Sequence, residues 1–328
     1  MTEPSPETCF MDGDCSSIPN MKRFTHEAMA TTFEVIVVTQ DAQYAQQAAR
    51  AAFDQVDRLE RDLSRFIENS DISRINALAA DTPAIVGLET FECLQLAQKL
   101  YHETNGLFDI TIGSLFKCWK DGKGNPRIPT EQELEAAIQH TGVDLLQFNE
   151  SEHTVCVSVA PLYVDLGGIG KGYAVDCMAK MLQEWDINIA LIHGGYSSVL
   201  ALDPPPDMDG WPLTFTHPQE KKIIARLSLS NRAVSGSGVQ KGGHIIDPRT
   251  AKPVKARLAA WSSTPDAASG DALSTTFMMM SVEQIKAFCS SHPDVMAALI
   301  LRPDETESES ENEQLLHFGK WNGVAEFQ

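Results

Sequence analysis

Three short stretches of the chain gather residue types that can do chemistry. In VDLGGIGKGYAVD, Asp165 ends a strand-like run, glycines follow, and Lys171 opens a helical pattern. A strand, a glycine turn and a helix N-terminus offer free backbone N–H groups and the positive end of a helix dipole, a setting that suits phosphate. The spacing is not that of a Walker A loop, because Asp165 stands where its first glycine would be and Gly172 where Ser or Thr would be. It also fails GxGxxG, since Tyr173 occupies the last glycine's place. Read as a bare glycine turn, the stretch serves tight packing equally well.

In GDALSTTFMMMS, Asp271 and Thr275 are four residues apart, so on a helix both oxygens project from one face. A carboxylate and a hydroxyl on adjacent turns are hard oxygen ligands of the kind Mg²⁺ or Ca²⁺ accepts. The competing reading is a helix-start aspartate with an ordinary threonine. Ala272, Leu273, Thr276, Phe277 and Met280 form the neighbouring apolar stripe. In SGSGVQKGGHIIDPRT, His244 follows a run of glycines and serines. With an unperturbed pKa of about 6.5, a histidine there can serve as a general base, or it can be a hydrogen-bonded surface residue.

The elements that must position these residues are partly legible. Phe33, Val35 and Val37 alternate as in a strand, and Ala45, Ala48, Ala49, Ala52, Phe53, Val56 and Leu59 follow at helical spacing. A second helix is expected over 89–102. Thr130 with Glu133, and Ser281 with Gln284, read as capping boxes ahead of two more. The run from Val155 to Val164 predicts a strand leading into the glycine cluster, with a helix through Met178 and Leu182 after it. Strands are expected around Gly194 and Gly195, over 223–229 and over 297–301, and the charged run PDETESESENEQ as a solvated hairpin loop. Residues 1–23, rich in Pro, Ser, Glu and Asp, read as a disordered lead-in, with one folded domain of two intertwined lobes over 24–328. Strands and helices mix without regular βαβ alternation, so the fold class is α+β.

Composition narrows the function. The 328 residues carry 45 acidic against 26 basic side chains, a formal charge of −19. That balance leaves no basic footprint for nucleic acid or an anionic membrane. An anion bound by such a chain needs a metal ion or a local cluster of donors to supply positive charge. Seven scattered cysteines show no CxxC pair, which reads as buried free thiols in a reducing compartment. No stretch approaches the length of a membrane helix. The N-terminal stretch has no apolar signal-peptide run, so the expected location is cytoplasmic as encoded, and periplasmic if the N-terminus is incomplete.

Taken in order, several blocks resemble the ApbE family, the FAD:protein FMN transferases. MATTFEV is similar to the family's MGT block, DLSRFIENSDISRIN to LSxYxxxSEISRxN, and GLFDITIGSLFKCW to GxFDxTVGPLxxxW. VDLGGIGKGYAVD resembles LDLxxIAKGYAVD, SGSGVQKGGHIIDPRTAKPV resembles SGxxxxxxxHIIDPRTGxP, and GDALSTT resembles ADALSTA. The resemblance implies a tunnel-like α+β fold with FAD between two lobes. It implies nucleotide contacts from Met29, Phe66, Leu107, Phe108, Asp109, Asp165, Lys171 and Ile245. It implies a Mg²⁺ held by Asp271, Thr275 and the carbonyl of Gly168. The implied reaction is transfer of FMN from FAD to a Ser or Thr hydroxyl of an acceptor redox flavoprotein, with AMP released and His244 as base. An FAD pyrophosphatase and a non-catalytic flavin-binding protein stay open beside it. The chain departs from the pattern at Phe66, where many members have Tyr, at Ala251 and Gly168, which exchange glycine and alanine, and at Tyr196, where an aspartate is common.

Overall fold

The computed structural model describes residues 11, 12, 15, 18–121, 124–238, 245–254, 257–302 and 313–328. The chain divides into two compact units. The first comprises Met1–Asp57, Lys171–Gln240 and Ala256–Gln328, and the second Arg58–Gly170 and Lys241–Lys255.

In the first unit the described residues form an eight-stranded sheet, antiparallel throughout. From edge to edge it runs Gln314–Phe318, Met296–Leu301, Arg257–Thr264, Arg232–Gly238, Ser198–Ala201, Ala190–Gly194, Thr31–Val38 and Met21–Ala28. Side chains alternate between its faces, as strand geometry requires. One set, including Val199, Val234, Trp261 and Ala298, packs on Trp211, Leu213, Phe215 and Leu227 of a second antiparallel sheet. Phe215 stacks on Trp261 with ring centroids 5.1 Å apart. Trp211, Phe215, Trp261 and Trp321 are all buried in this layer, where each aromatic removes on the order of 150–250 Å² from water.

The opposite face carries Ser235, Ser237 and Ser262 and is covered by the helix Ala267–Phe277. The first turn of the helix Gly170–Glu184 lies on the same sheet at Gly194, where an added Cβ would fall 2.7 Å from Val175 Cγ2. A glycine there lets helix and strand approach. The expected Ala45-to-Leu59 stripe is buried on the helix Ala42–Leu63.

The second unit holds the helices Asp71–Ile75, Leu88–Glu103, Gly113–Cys118 and Glu131–Ile138, a three-stranded sheet, and the short ribbon Ile246–Asp247 with Lys252–Pro253. Both expected capping boxes form, at Thr130 with Glu133 here and at Ser281 with Gln284 in the first unit. The fold is α+β, with the sheets and helices mixed as the pattern indicates.

Two expectations change. The strand expected from Val155 to Val164 ends at Val157, and beyond it only Tyr163 bridges to Ile112. Pro161 has no N–H to donate and cannot continue a ladder. Within the stretch read as a lead-in, Met11–Asp12 pairs with Trp211–Thr216, Cys15 and Ile18 are buried, and the edge strand starts at Met21. The acidic run after Arg302 lies outside the described residues. Among the described residues no helix is long and apolar enough to cross a membrane.

Candidate functional site

In the first unit the glycine turn's lysine meets the Asp/Thr helix. Lys171 Nζ lies 3.2 Å from Asp271 Oδ2, and the backbone N–H of Gly172 donates to the same oxygen at 3.2 Å. Asp271 is 3% exposed, so its charge is compensated at close range by an ammonium and an amide, the condition under which a buried carboxylate is tolerated. Thr275 sits one turn further along the Ala267–Phe277 helix and is half-buried. Its Oγ1 contacts Ser237 Oγ at 3.0 Å.

Close helix approach makes this meeting possible. A Cβ on Gly172 would stand 2.1 Å from the carbonyl oxygen of Ala267 and 2.8 Å from Cα of Ala268. Only glycine fits, which bears out the packing reading of the turn at this position. Asp176, one turn beyond Gly172, accepts the N–H groups of Ala267 at 2.7 Å and Ala268 at 2.8 Å. It ties the start of one helix to the flank of the other. Burial pushes its carboxyl up to about 7, against the opposing pull of those two amides. Asp266 caps the same helix through the Ser269 amide, and Arg257 donates to the Phe277 carbonyl at the other end. Both charges complement the helix dipole.

Met29 and Ala30 form the two-residue turn between Met21–Ala28 and Thr31–Val38, with φ of 50° and 57°. Two positive φ values define the type I′ turn that suits a twisted hairpin, normally supplied by Asn-Gly. Holding a methionine and an alanine there costs about 1–2 kcal/mol per residue.

The second unit gathers the remaining expected residues. Phe66 is 80% exposed, with the Arg65 guanidinium 4.2 Å from its ring centroid. The loop that carries it is held by serines. Ser70 Oγ donates to the Ser64 carbonyl at 2.5 Å, Ser73 Oγ to the Ile67 carbonyl at 2.8 Å, and the Phe66 amide to Ser64 Oγ at 3.2 Å. These bonds hold the loop that carries the exposed ring. Arg65 Nε also lies 3.1 Å from Asp165 Oδ2, while Asp165 Oδ1 accepts the Gly167 amide at 2.9 Å. Gly168 lies in that turn, half-buried.

Leu107, Phe108 and Asp109 are all buried. Asp109 Oδ1 accepts both the amide and the hydroxyl of Thr111, at 2.8 and 2.6 Å, and burial raises its pKa despite those bonds. Ile245 is buried beside the ribbon in which Arg249 grips Asp247 through Nε at 3.1 Å and its terminal nitrogen at 2.8 Å. Ala251 closes that ribbon at φ 56°, the conformation for which the family pattern's glycine is suited. His244 lies outside the described residues.

Within the first unit, then, Lys171, Asp271 and Thr275 come together and Met29 marks a strained hairpin tip; Phe66, Leu107, Phe108, Asp109, Asp165, Gly168 and Ile245 belong to the second. Sequence reading missed Ser237 and Asp176. Asp176 is the last residue of VDLGGIGKGYAVD, five positions after Lys171, and that offset from the glycine turn was its only signal.

Comparison with known proteins shows what the chain is similar to. The Vibrio cholerae protein named FAD:protein FMN transferase is 24% identical over 309 residues, covering 89% of this chain and 90% of its own length. The Escherichia coli K12 protein of the same name is 25% identical over 280 residues, covering 79% and 78%. Among solved structures, the flavin transferase ApbE from Vibrio cholerae superposes with a TM-score of 0.81 at 23% identity, covering 93% of this chain and 99% of that one. The ApbE protein of Thermotoga maritima gives 0.76 at 26% identity, covering 86% and 94%. The model of the ApbE family itself matches residues 29–300, most of the chain including every expected site residue, and the chain belongs to that family.

Proposed function

We propose that this chain is a Mg²⁺-dependent transferase that moves the FMN half of FAD onto a Ser or Thr hydroxyl of an acceptor redox flavoprotein and releases AMP. The observation that carries the reading is the meeting of Lys171, Asp271 and Thr275 on two helices held together through Gly172. The relatives named FAD:protein FMN transferase support the choice of substrate and reaction.

The residues fit magnesium. Among the described residues no three His, Cys, Asp or Glu side chains gather as a ready-made metal cage. One carboxylate and one hydroxyl on adjacent turns are what a hard cation needs when water and substrate phosphate fill the rest of its shell. Lys171 and Gly172 both engage Asp271 Oδ2, and Asp271 with Thr275 would hold the ion. When bound, the ion draws charge from the pyrophosphate and stabilises the leaving AMP.

The chain's own residues do the rest. Lys171 holds Asp271 in place through its 3.2 Å contact and brings a positive charge to the side of the site where a phosphate would bind. Phe66 supplies a stacking face for the isoalloxazine, and Met29 an apolar contact. Asp165 and Asp109 orient the nucleotide rather than react. In the transfer the acceptor oxygen attacks the FMN phosphorus, the bond from that phosphorus to the AMP oxygen breaks, and the acceptor's proton passes to His244.

Product analysis tests the reading. With FAD, Mg²⁺ and a candidate acceptor, AMP is expected to appear without matching free FMN. AMP and free FMN in equal amounts, whether or not acceptor is present, would make the chain a pyrophosphatase instead. Stable bound FAD with no AMP would make it a flavin carrier.

A further inference from the structure

Three hydroxyls meet beside Asp271. Ser237, on the strand Arg232–Gly238, lies 2.9 Å from Ser274 Oγ and 3.0 Å from Thr275 Oγ1. A hydroxyl has one proton to give and two lone pairs to offer, so the protons can be assigned in turn. Ser274 donates to the carbonyl of Asp271 at 2.9 Å. Ser237 is therefore the donor to Ser274, and with its proton used it accepts from Thr275. The rival wiring sends the Thr275 proton to the Asp271 carbonyl, which is 3.4 Å away and a much poorer bond. With its proton on Ser237, Thr275 Oγ1 keeps both lone pairs for a ligand on its other side.

We propose that Ser237 is a positioning residue for the divalent ion: it takes the Thr275 proton and so presents Thr275 Oγ1 to the cation as a lone-pair donor. The inference rests on the reading that Thr275 is a metal ligand. Ser237 falls on an unspecified position of the SGxxxxxxxHIIDPRT pattern, so the resemblance gave it no role. Without it, the Thr275 proton has only the poorer 3.4 Å bond to the Asp271 carbonyl, the i−4 bond that Ser and Thr make inside helices, and the hydroxyl's lone pairs turn away from the orientation that Ser237 fixes. Partners that orient a metal ligand typically change metal affinity by about 10–100-fold.

The test uses Mn²⁺, which takes the same hard-oxygen sites as Mg²⁺, titrated into the full chain with the free ion read by electron paramagnetic resonance. Ser237→Ala is expected to weaken binding by about 10-fold or more. Ser237→Thr, which keeps the hydroxyl, is expected to restore it, with both variants unfolding near the wild-type temperature. Ser237→Cys, a poor acceptor of similar size, is expected to behave like alanine and replaces it if the alanine variant does not fold. Wild-type affinity in Ser237→Ala or Ser237→Cys, alongside lost binding in Thr275→Ala, would overturn the role of Ser237 and leave Thr275 a ligand. Wild-type affinity in Thr275→Ala would overturn the ligand reading itself.

Discussion

At Asp271 one buried carboxylate faces a lysine through one oxygen, and the proposed function gives it a divalent ion to hold. Replacing it by asparagine keeps the shape and removes the charge, so Asp271→Asn is expected to raise the Mg²⁺ concentration needed for half-maximal AMP release by at least about 100-fold. Unchanged Mg²⁺ dependence in a titration would remove Asp271 from the metal. Asp271, Thr275 and Lys171 were legible in the sequence because their types and short spacings carry chemistry on their own. Ser237 and Asp176 were not. Their partners lie far along the chain, and a serine in a Ser/Gly-rich strand or an aspartate in a helix has no local signature. Phe66 was legible by family pattern, but the serine bonds that hold its loop needed coordinates.

At the scale of elements, two helices set the geometry and two residues set the helices. Gly172→Ala would place a methyl against the backbone of Ala267, which cannot yield as a side chain can. Loss of several kcal/mol in denaturant unfolding is expected, together with loss of Mg²⁺-dependent turnover. A variant of wild-type stability would show that the helices do not need this approach. Asp176 adds a pH dependence. Its folded pKa of about 7 lies above the unfolded value of about 3.9, so its contribution to stability is full below pH ~4 and is lost as pH rises through 7. The stability of the wild type relative to Asp176→Asn is expected to fall by a few kcal/mol across that window. A difference independent of pH would show that the carboxyl stays ionised throughout. The glycine turn left two competing readings in the sequence, and at Gly172 the structure shows the packing one.

Over the whole molecule, the α+β class followed from unalternated strands and helices, and the long Ala42–Leu63 helix from its apolar period. Strand order did not follow. Pairings such as Thr31–Val38 with Ala190–Gly194 join distant segments, and alternation gives a strand its faces without naming its neighbour. The division into two units, each built from discontinuous segments, was likewise not written in any linker. The central claim concerns the whole chain: that it joins FMN to a protein through a phosphoester. The direct measurement is the intact mass of an acceptor flavoprotein after incubation with the chain, FAD and Mg²⁺. The expected result is an added mass of one FMN less one water, absent with chelator and lost when the acceptor hydroxyl is removed. An unmodified acceptor in a reaction where FAD has been cleaved to AMP and free FMN would contradict it.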